Sequence, residues 1–183
     1  MMLLDHIRNG RWDEVSEFLE ENLFAGMTNE DRSTILTELS FHGVVELIDK
    51  LLQSDADPNY RFDGVRGELS YDLEPGTTPL GQTILGAAWK RNQTLNTLNH
   101  LLAARANPNG ITYSGYTPLQ LAIVFGQQDL AIDLLEAGAD PYCPSADLDK
   151  PDAFEFAADK PWAMTMLVKW KSKRDARQSE AYL

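Results

Sequence analysis

The chain has 183 residues, of which 43% are hydrophobic, and a net charge of −12. This length suits one domain or one short repeat array, and the apolar content is enough for a core, which excludes wholesale disorder. The charge is uneven. Residues 160–183 hold six Lys/Arg against two acidic residues, which leaves ten basic and 26 acidic residues in 1–159. Such a body repels nucleic-acid phosphates and weakly favours a basic partner; the plainer reading is that acidity serves solubility.

Met1 to Leu4 is too short for a signal-peptide core, and no later stretch approaches a membrane span. The single cysteine, Cys143, cannot form an internal disulfide. A cytoplasmic chain, monomeric on its own, is the expectation.

The elements follow a repeated phrase. Ala-[Asp/Asn]-Pro closes three segments, at 56–58, 106–108 and 139–141, each time three residues after a Leu-Leu pair. In residues 1–24, Gly10 separates two short helices, and Val15, Phe18 and Leu19 form the stripe of the second. Residues 25–59 repeat the plan. Gly43 lies one period of 33 after Gly10, Thr34 is read at the start of the first helix, and Ala56-Asp57-Pro58 ends the second. Residues 60–77 interrupt the period as a long loop. Residues 78–109 resume it, with Thr83 read at the first-helix start, Trp89 as a core residue and Asn92 at the turn.

Residues 110–141 hold the clearest copy. Leu119, Ala122 and Ile123 share one helical face. Gly126 suits the left-handed residue that ends the first helix, and Leu130, Leu134 and Leu135 stripe the second. Gly138 caps it and Pro141 stops it. Residues 142–183 form a loose last copy with Ala157 and Ala158, an N-cap at Asp152 and a basic tail read as complementing a helix C-terminus. Trp12, Trp162 and Trp170 are expected to cover the ends of the array. A unit of two short helices cannot bury its own apolar face, so such units must stack.

The segment from Gly115 to Pro141 resembles an ankyrin repeat. Thr117-Pro118-Leu119-Gln120-Leu121-Ala122 is similar to the family's Thr-Pro-Leu-His-Leu-Ala, with Gln120 where His is usual. The resemblance implies an all-α ankyrin-repeat solenoid: stacked helix-turn-helix units with short hairpin-like fingers, three repeats between two degenerate terminal ones. Asp55 and Arg105 replace Gly138 where positive φ is favoured, at about 1 kcal/mol each.

Pro58 and Pro108 are 50 residues apart, and Pro108 and Pro141 only 33. The surplus is assigned to an enlarged finger, with an Arg61–Arg66 hairpin turning at Asp63-Gly64 and a second turn at Glu74-Pro75-Gly76. Loops of this length are uncommon unless functional or disordered. Arg61, Phe62, Arg66 and Tyr71 are its candidate contact residues.

The resemblance also implies binding through finger tips and the concave face of the first helices. By position this points to Phe41, His42, Lys90, Arg91, Val124 and Phe125, with Tyr113 and Tyr116 on the next finger. No metal, cofactor or catalytic group is expected. His6, His42 and His100 lack ligand company at metal spacing, and no phosphate loop follows Gly64 and Gly67. The function expected is a non-enzymatic protein-binding module for a partner protein. The alternative is an immunity- or antitoxin-type inhibitor that blocks a basic toxin or enzyme.

Overall fold

A computed structural model of the chain describes residues 3–22, 26–64, 73–89, 93–112, 115–146 and 152–180. Among these residues the regular structure is helical: α1 (Leu3–Arg8), α2 (Trp12–Asn22), α3 (Asn29–His42), α4 (Val45–Gln53), α5 (Pro79–Ala88), α6 (Thr94–Ala103), α7 (Pro118–Val124), α8 (Gln128–Glu136), α9 (Ala153–Phe156) and α10 (Pro161–Glu180). Two rows result. The inner row runs α3, α5, α7, α9, and the outer row α4, α6, α8, α10, each helix packed on the next. Between them lies one core. The inner row supplies Ile35, Leu36 and Leu39 of α3, Ile84 of α5, and Ala122 and Ile123 of α7. The outer row supplies Ile48 and Leu51 of α4, Leu101 of α6 and Leu134 of α8.

The inner helices share one starting device. Thr28, Thr78, Thr117 and Asp152 each accept a hydrogen bond from a backbone N–H of the first turn. This satisfies donors that a helix leaves orphaned. Asp31, Gln120 and Glu155 complete the reciprocal box, and Pro79 and Pro118 occupy the position where a missing N–H costs nothing.

The helix starts read at Thr34 and Thr83 are therefore corrected to Thr28 and Thr78. Both misread threonines are buried inside their helices. Thr83 Oγ1 donates to the Pro79 carbonyl at 3.0 Å, and Thr34 Oγ1 reaches the Tyr60 hydroxyl at 3.3 Å. The surplus spacing is corrected too. Pro58 to Thr78 is 20 positions and Pro108 to Thr117 is nine, so 11 of the 17 extra residues enlarge the finger. Part of the rest lengthens the helices: α5 has 10 residues where α7 has seven, and α6 has 10 where α8 has nine.

The inter-helix turns are as the glycines predict. Gly10, Gly43 and Gly126 have φ of 66°, 72° and 71°. Asn92 lies outside the described residues, but the next residue, Gln93, is left-handed at φ 57°. Asp55 and Arg105 take φ of 64° and 68°, the strained values that the comparison with Gly138 implied. Trp12, Trp162 and Trp170 are half-buried against the core at the two ends. At the N-terminal end Lys50 Nζ bridges α4 to Glu20 of α2 at 2.7 Å, and this pairing holds the Glu20 carboxyl below its ordinary range.

The repeated phrase carries the contact between units. Asn59 Nδ2 donates to the Arg105 carbonyl at 3.0 Å, and Asn59 Oδ1 accepts from Asn107 N–H at 2.6 Å. One repeat later, Asn109 Nδ2 donates to the Gly138 carbonyl at 3.2 Å and Asn109 Oδ1 accepts from Asp140 N–H at 2.7 Å. Each asparagine thus clamps the turn of the following unit. Within each turn, Asp57, Asn107 and Asp140 accept the backbone N–H two residues on. The third phrase ends in Tyr142, which instead stacks on Phe154 at 5.2 Å.

Asn109→Ala removes both clamp bonds and should cost about 1–2 kcal/mol in urea unfolding. Asn109→Gln, whose longer amide cannot fit both backbone groups, should not restore it. Gly86 is a close inter-helix approach: a Cβ there would sit 2.1 Å from the Phe41 carbonyl oxygen. Gly86→Ala should therefore lose about 3 kcal/mol, whereas Gly126→Ala, with open space around its Cβ position, should lose about 1 from backbone strain alone. Equal losses in the two variants would refute the close approach.

Candidate partner-binding surface

The first helices end along one edge of the array, where each turns into its outer partner. Phe41 and His42 finish α3. Their rings meet edge-on at 5.2 Å, and Trp12 also meets His42 edge-on at 5.3 Å. Trp89 is the C-cap residue of α5, and Val124 and Phe125 finish α7. Val124 is 40% exposed and Phe125 37%. Trp89 is 70% exposed, which overturns the reading of it as core. Trp89 lies just past the last residue of α5, as its C-cap, and not within the helix as the reading assumed. A signal was available: Trp89 directly precedes Lys90-Arg91, a pair that the turn already placed at the surface. Lys90 and Arg91 themselves lie outside the described residues.

The first finger is held at its neck. Phe62 N–H donates to the Thr77 carbonyl at 2.9 Å, and Gly76 N–H donates to the Phe62 carbonyl at 2.7 Å. Both backbone groups of Phe62 are thereby committed to 76–77, which takes them out of the pairing expected across Asp63-Gly64. The far side of that hairpin, including Arg66, lies outside the described residues, as does Tyr71. The Glu74-Pro75-Gly76 turn is present: Thr77 N–H reaches the Glu74 carbonyl at 3.0 Å, and Gly76 has φ 84°. Phe62 is 3% exposed, and Leu73 is fully buried. Phe62 is thus withdrawn as a contact anchor, since its side chain is already buried within this chain. Arg61 is exposed and lines a cleft between the first and second fingers with Asn59, Thr78 and Ile111.

On the second finger Thr112 N–H donates to the Tyr116 carbonyl at 2.8 Å. Tyr116 is half-buried, with its ring edge-on to Phe156 at 5.3 Å, so much of its face is spent on the last repeat. Tyr113 lies outside the described residues. The structure therefore aligns Phe41, His42, Val124 and Phe125 on one edge, adds Trp89 to them, and sets Arg61 apart on the finger side.

The ankyrin-repeat family profile matches residues 114–146, the unit that contains α7 and α8. Ankyrin repeat and MYND domain-containing protein 1 of Mus musculus is 31% identical over 130 residues, which cover 60% of this chain. Residues 114–146 are an ankyrin repeat, and the chain around them is similar to an ankyrin-repeat protein. The match covers 14% of the mouse protein's length.

Ankyrin repeats are generally protein–protein interaction modules. In this ankyrin repeat Gln120, at the usual His position, has three tasks. Its side-chain oxygen accepts from Thr117 N–H at 2.9 Å, its own N–H donates to Thr117 Oγ1 at 3.3 Å, and its Nε2 donates to the Cys143 carbonyl at 3.2 Å. The helix cap is thereby tied to the next finger.

Among the described residues no three His, Cys, Asp or Glu converge as a metal site would require, and no helix is long and apolar enough to cross a membrane. His100 does have carboxylate company, contrary to what its sequence neighbours suggest: its Nδ1 lies 2.6 Å from Asp49 Oδ1. The partners are 51 residues apart in sequence, and the stacking of α6 on α4 joins them.

Burial, helped by the Asp140 charge, raises the Cys143 thiol above its ordinary range. A raised pKa leaves less thiolate at neutral pH. Cys143 should thus react with iodoacetamide at pH 7.5 several-fold more slowly than free cysteine, by a mass-spectrometric time course. Faster alkylation than the free amino acid would contradict the half-buried setting.

Proposed function

We propose that this chain is a non-enzymatic binding module whose partner protein lies across the first-helix edge, touching Trp89, Val124 and Phe125, and reaches the first finger at Arg61. One observation carries the reading: the exposure of Trp89. An indole left 70% in water gives up stabilisation that a core position would supply, of order 2 kcal/mol. Aromatic side chains of this kind, central to a patch, are the usual anchors of protein interfaces. Val124 and Phe125 extend the patch along the neighbouring helix end, beyond the scattered single exposures that need no explanation.

Lys90 and Arg91 belong to the proposed surface by sequence position, as do Arg66, Tyr71 and Tyr113 on the fingers. His42 and Phe41 support it from the N-terminal side. The acidic body, with 26 acidic residues in 1–159, favours a partner that is basic beyond the apolar contact. An inhibitor acting on a basic enzyme is the form this takes if the captured protein is a catalyst. Assaying that protein with and without saturating chain separates inhibition from scaffolding.

A photo-crosslinking amino acid at position 89 should capture the partner from host lysate, while the same residue at Asp129 of α8 should not. With the partner in hand, Trp89→Ala/Phe125→Ala should weaken binding at least about tenfold in calorimetry. The helical circular dichroism and melting should hardly change. Replacing residues 65–72 with a Gly-Ser link, which spares Phe62 and Leu73, measures the finger separately. Wild-type affinity in the double variant would remove the edge from the interface.

A further inference from the structure

We propose that the cleft between α8 and α10 is a second docking groove, and that its occupant is an acidic peptide segment with a large apolar anchor. The cleft holds about 670 Å³ on the outer row and runs along α8 from Gln128, at its turn end, to Gly138. Its floor is Ile132 and Leu135 of α8 with Trp162, Met166 and Trp170 of α10. The three α10 side chains are only half-buried, so each keeps apolar surface for the cleft. Such a floor accepts an aliphatic or aromatic anchor of drug-like size.

The rim decides the charge of the occupant. Lys169, Lys173 and Arg174 line it, with Glu136 as the acid on the α8 side. Lys169 and Lys173 are one helical turn apart on the same face. Arg174 lies 5.3 Å over the Trp170 ring and 3.9 Å from Asp140. The reading of these cations as a helix-end complement does not survive the length of α10. The helix runs 20 residues, to Glu180, so Lys169 and Lys173 lie well inside it, and the dipole effect fades within the last turn.

Their position instead fits carboxylates spaced along a peptide. The rest of the chain strengthens the choice. An acidic segment is repelled by the acidic body and attracted by residues 160–183, so the field draws it to the α10 wall of the groove. A peptide also matches the shape: a trough open along one side between two helices, as in the helix-in-groove mode. An anionic membrane would have to approach the acidic body as well as α10.

The experiment uses the full chain, labelled with ¹⁵N, and a set of dodecapeptides that combine Asp/Glu with one Leu, Phe or Trp anchor at varied spacing. Control sets carry Ser for the anchor or Lys for the acids. The four tryptophans report position, for Trp162 and Trp170 border the groove, Trp89 the edge and Trp12 the far end. Acidic anchored peptides should bind and shift the indole N–H signals of Trp162 and Trp170, leaving those of Trp12 and Trp89 in place.

Lys169→Glu/Lys173→Glu should weaken that binding about tenfold or more with helical content unchanged. Raising salt from about 0.05 M to about 0.5 M should weaken it in the wild type. The proposal is overturned if no acidic anchored peptide binds, if either control set binds equally, or if the shifts fall on Trp89. Tighter attachment to phosphatidylserine vesicles than to any peptide also overturns it. A failure here leaves the aromatic edge untouched, because that surface is read through position 89.

Discussion

The array depends on the asparagine clamp. Stacked helix pairs have interchangeable apolar faces, and hydrophobic contact alone does not fix how one pair slides on the next. The Asn59 and Asn109 amides fix it. Each donates to one backbone carbonyl and accepts from one backbone N–H of the following turn. Two bonds of opposite sense on one planar group leave a single register. The clamp also explains the phrase itself, which reads Asp-Pro-Asn, Asn-Pro-Asn, then Asp-Pro-Tyr. Asn recurs where a turn of the same kind follows. Tyr stands where the chain changes to α9 and α10, and there stacking on Phe154 replaces the clamp.

The inner row is held in a complementary way. Gly86 lets the α5 backbone rest on the Phe41 carbonyl, while side-chain caps start each helix. Polar and apolar demands are thus met at different heights: caps and clamps at the finger side, close packing in the middle, and exposed aromatics at the turn side. The separation leaves the exposed side chains of the turn side with little structural duty beyond the left-handed glycines. Trp89, Val124 and Phe125 can vary there at little cost to the fold.

Much of this was legible in the sequence. The repeated phrase, Gly10, Gly43 and Gly126 and the Leu stripe of α8 placed the units and their turns, because each reports a local backbone need. The helix starts were less legible. Thr34 and Thr83 satisfy the fixed spacing from the turn, but Thr28 and Thr78 satisfy the cap chemistry, and chemistry prevailed over spacing. Thr78-Pro79-Leu80 matches the Thr117-Pro118-Leu119 start, but it lies 14 positions before Asn92, where Thr117 lies nine before Gly126. Phe62 misled because aromatic content does not say which way a loop side chain points. The bond of Phe62 to Thr77, like that of His100 to Asp49, joins residues that only the folded path brings together, and no local pattern encodes it.

The inner helices shorten along the array, from 14 residues in α3 to 10 in α5, seven in α7 and four in α9. At 1.5 Å per residue, successive finger bases step toward the aromatic edge by about 4–6 Å per unit. From α3 to α9 the distance from edge to finger is therefore different in each unit. A ligand that touches both meets a graded ruler and not a uniform groove. Turned end for end, the same ligand would find its long reach over a short span. The taper thus gives the array a direction, a property that identical repeats do not have.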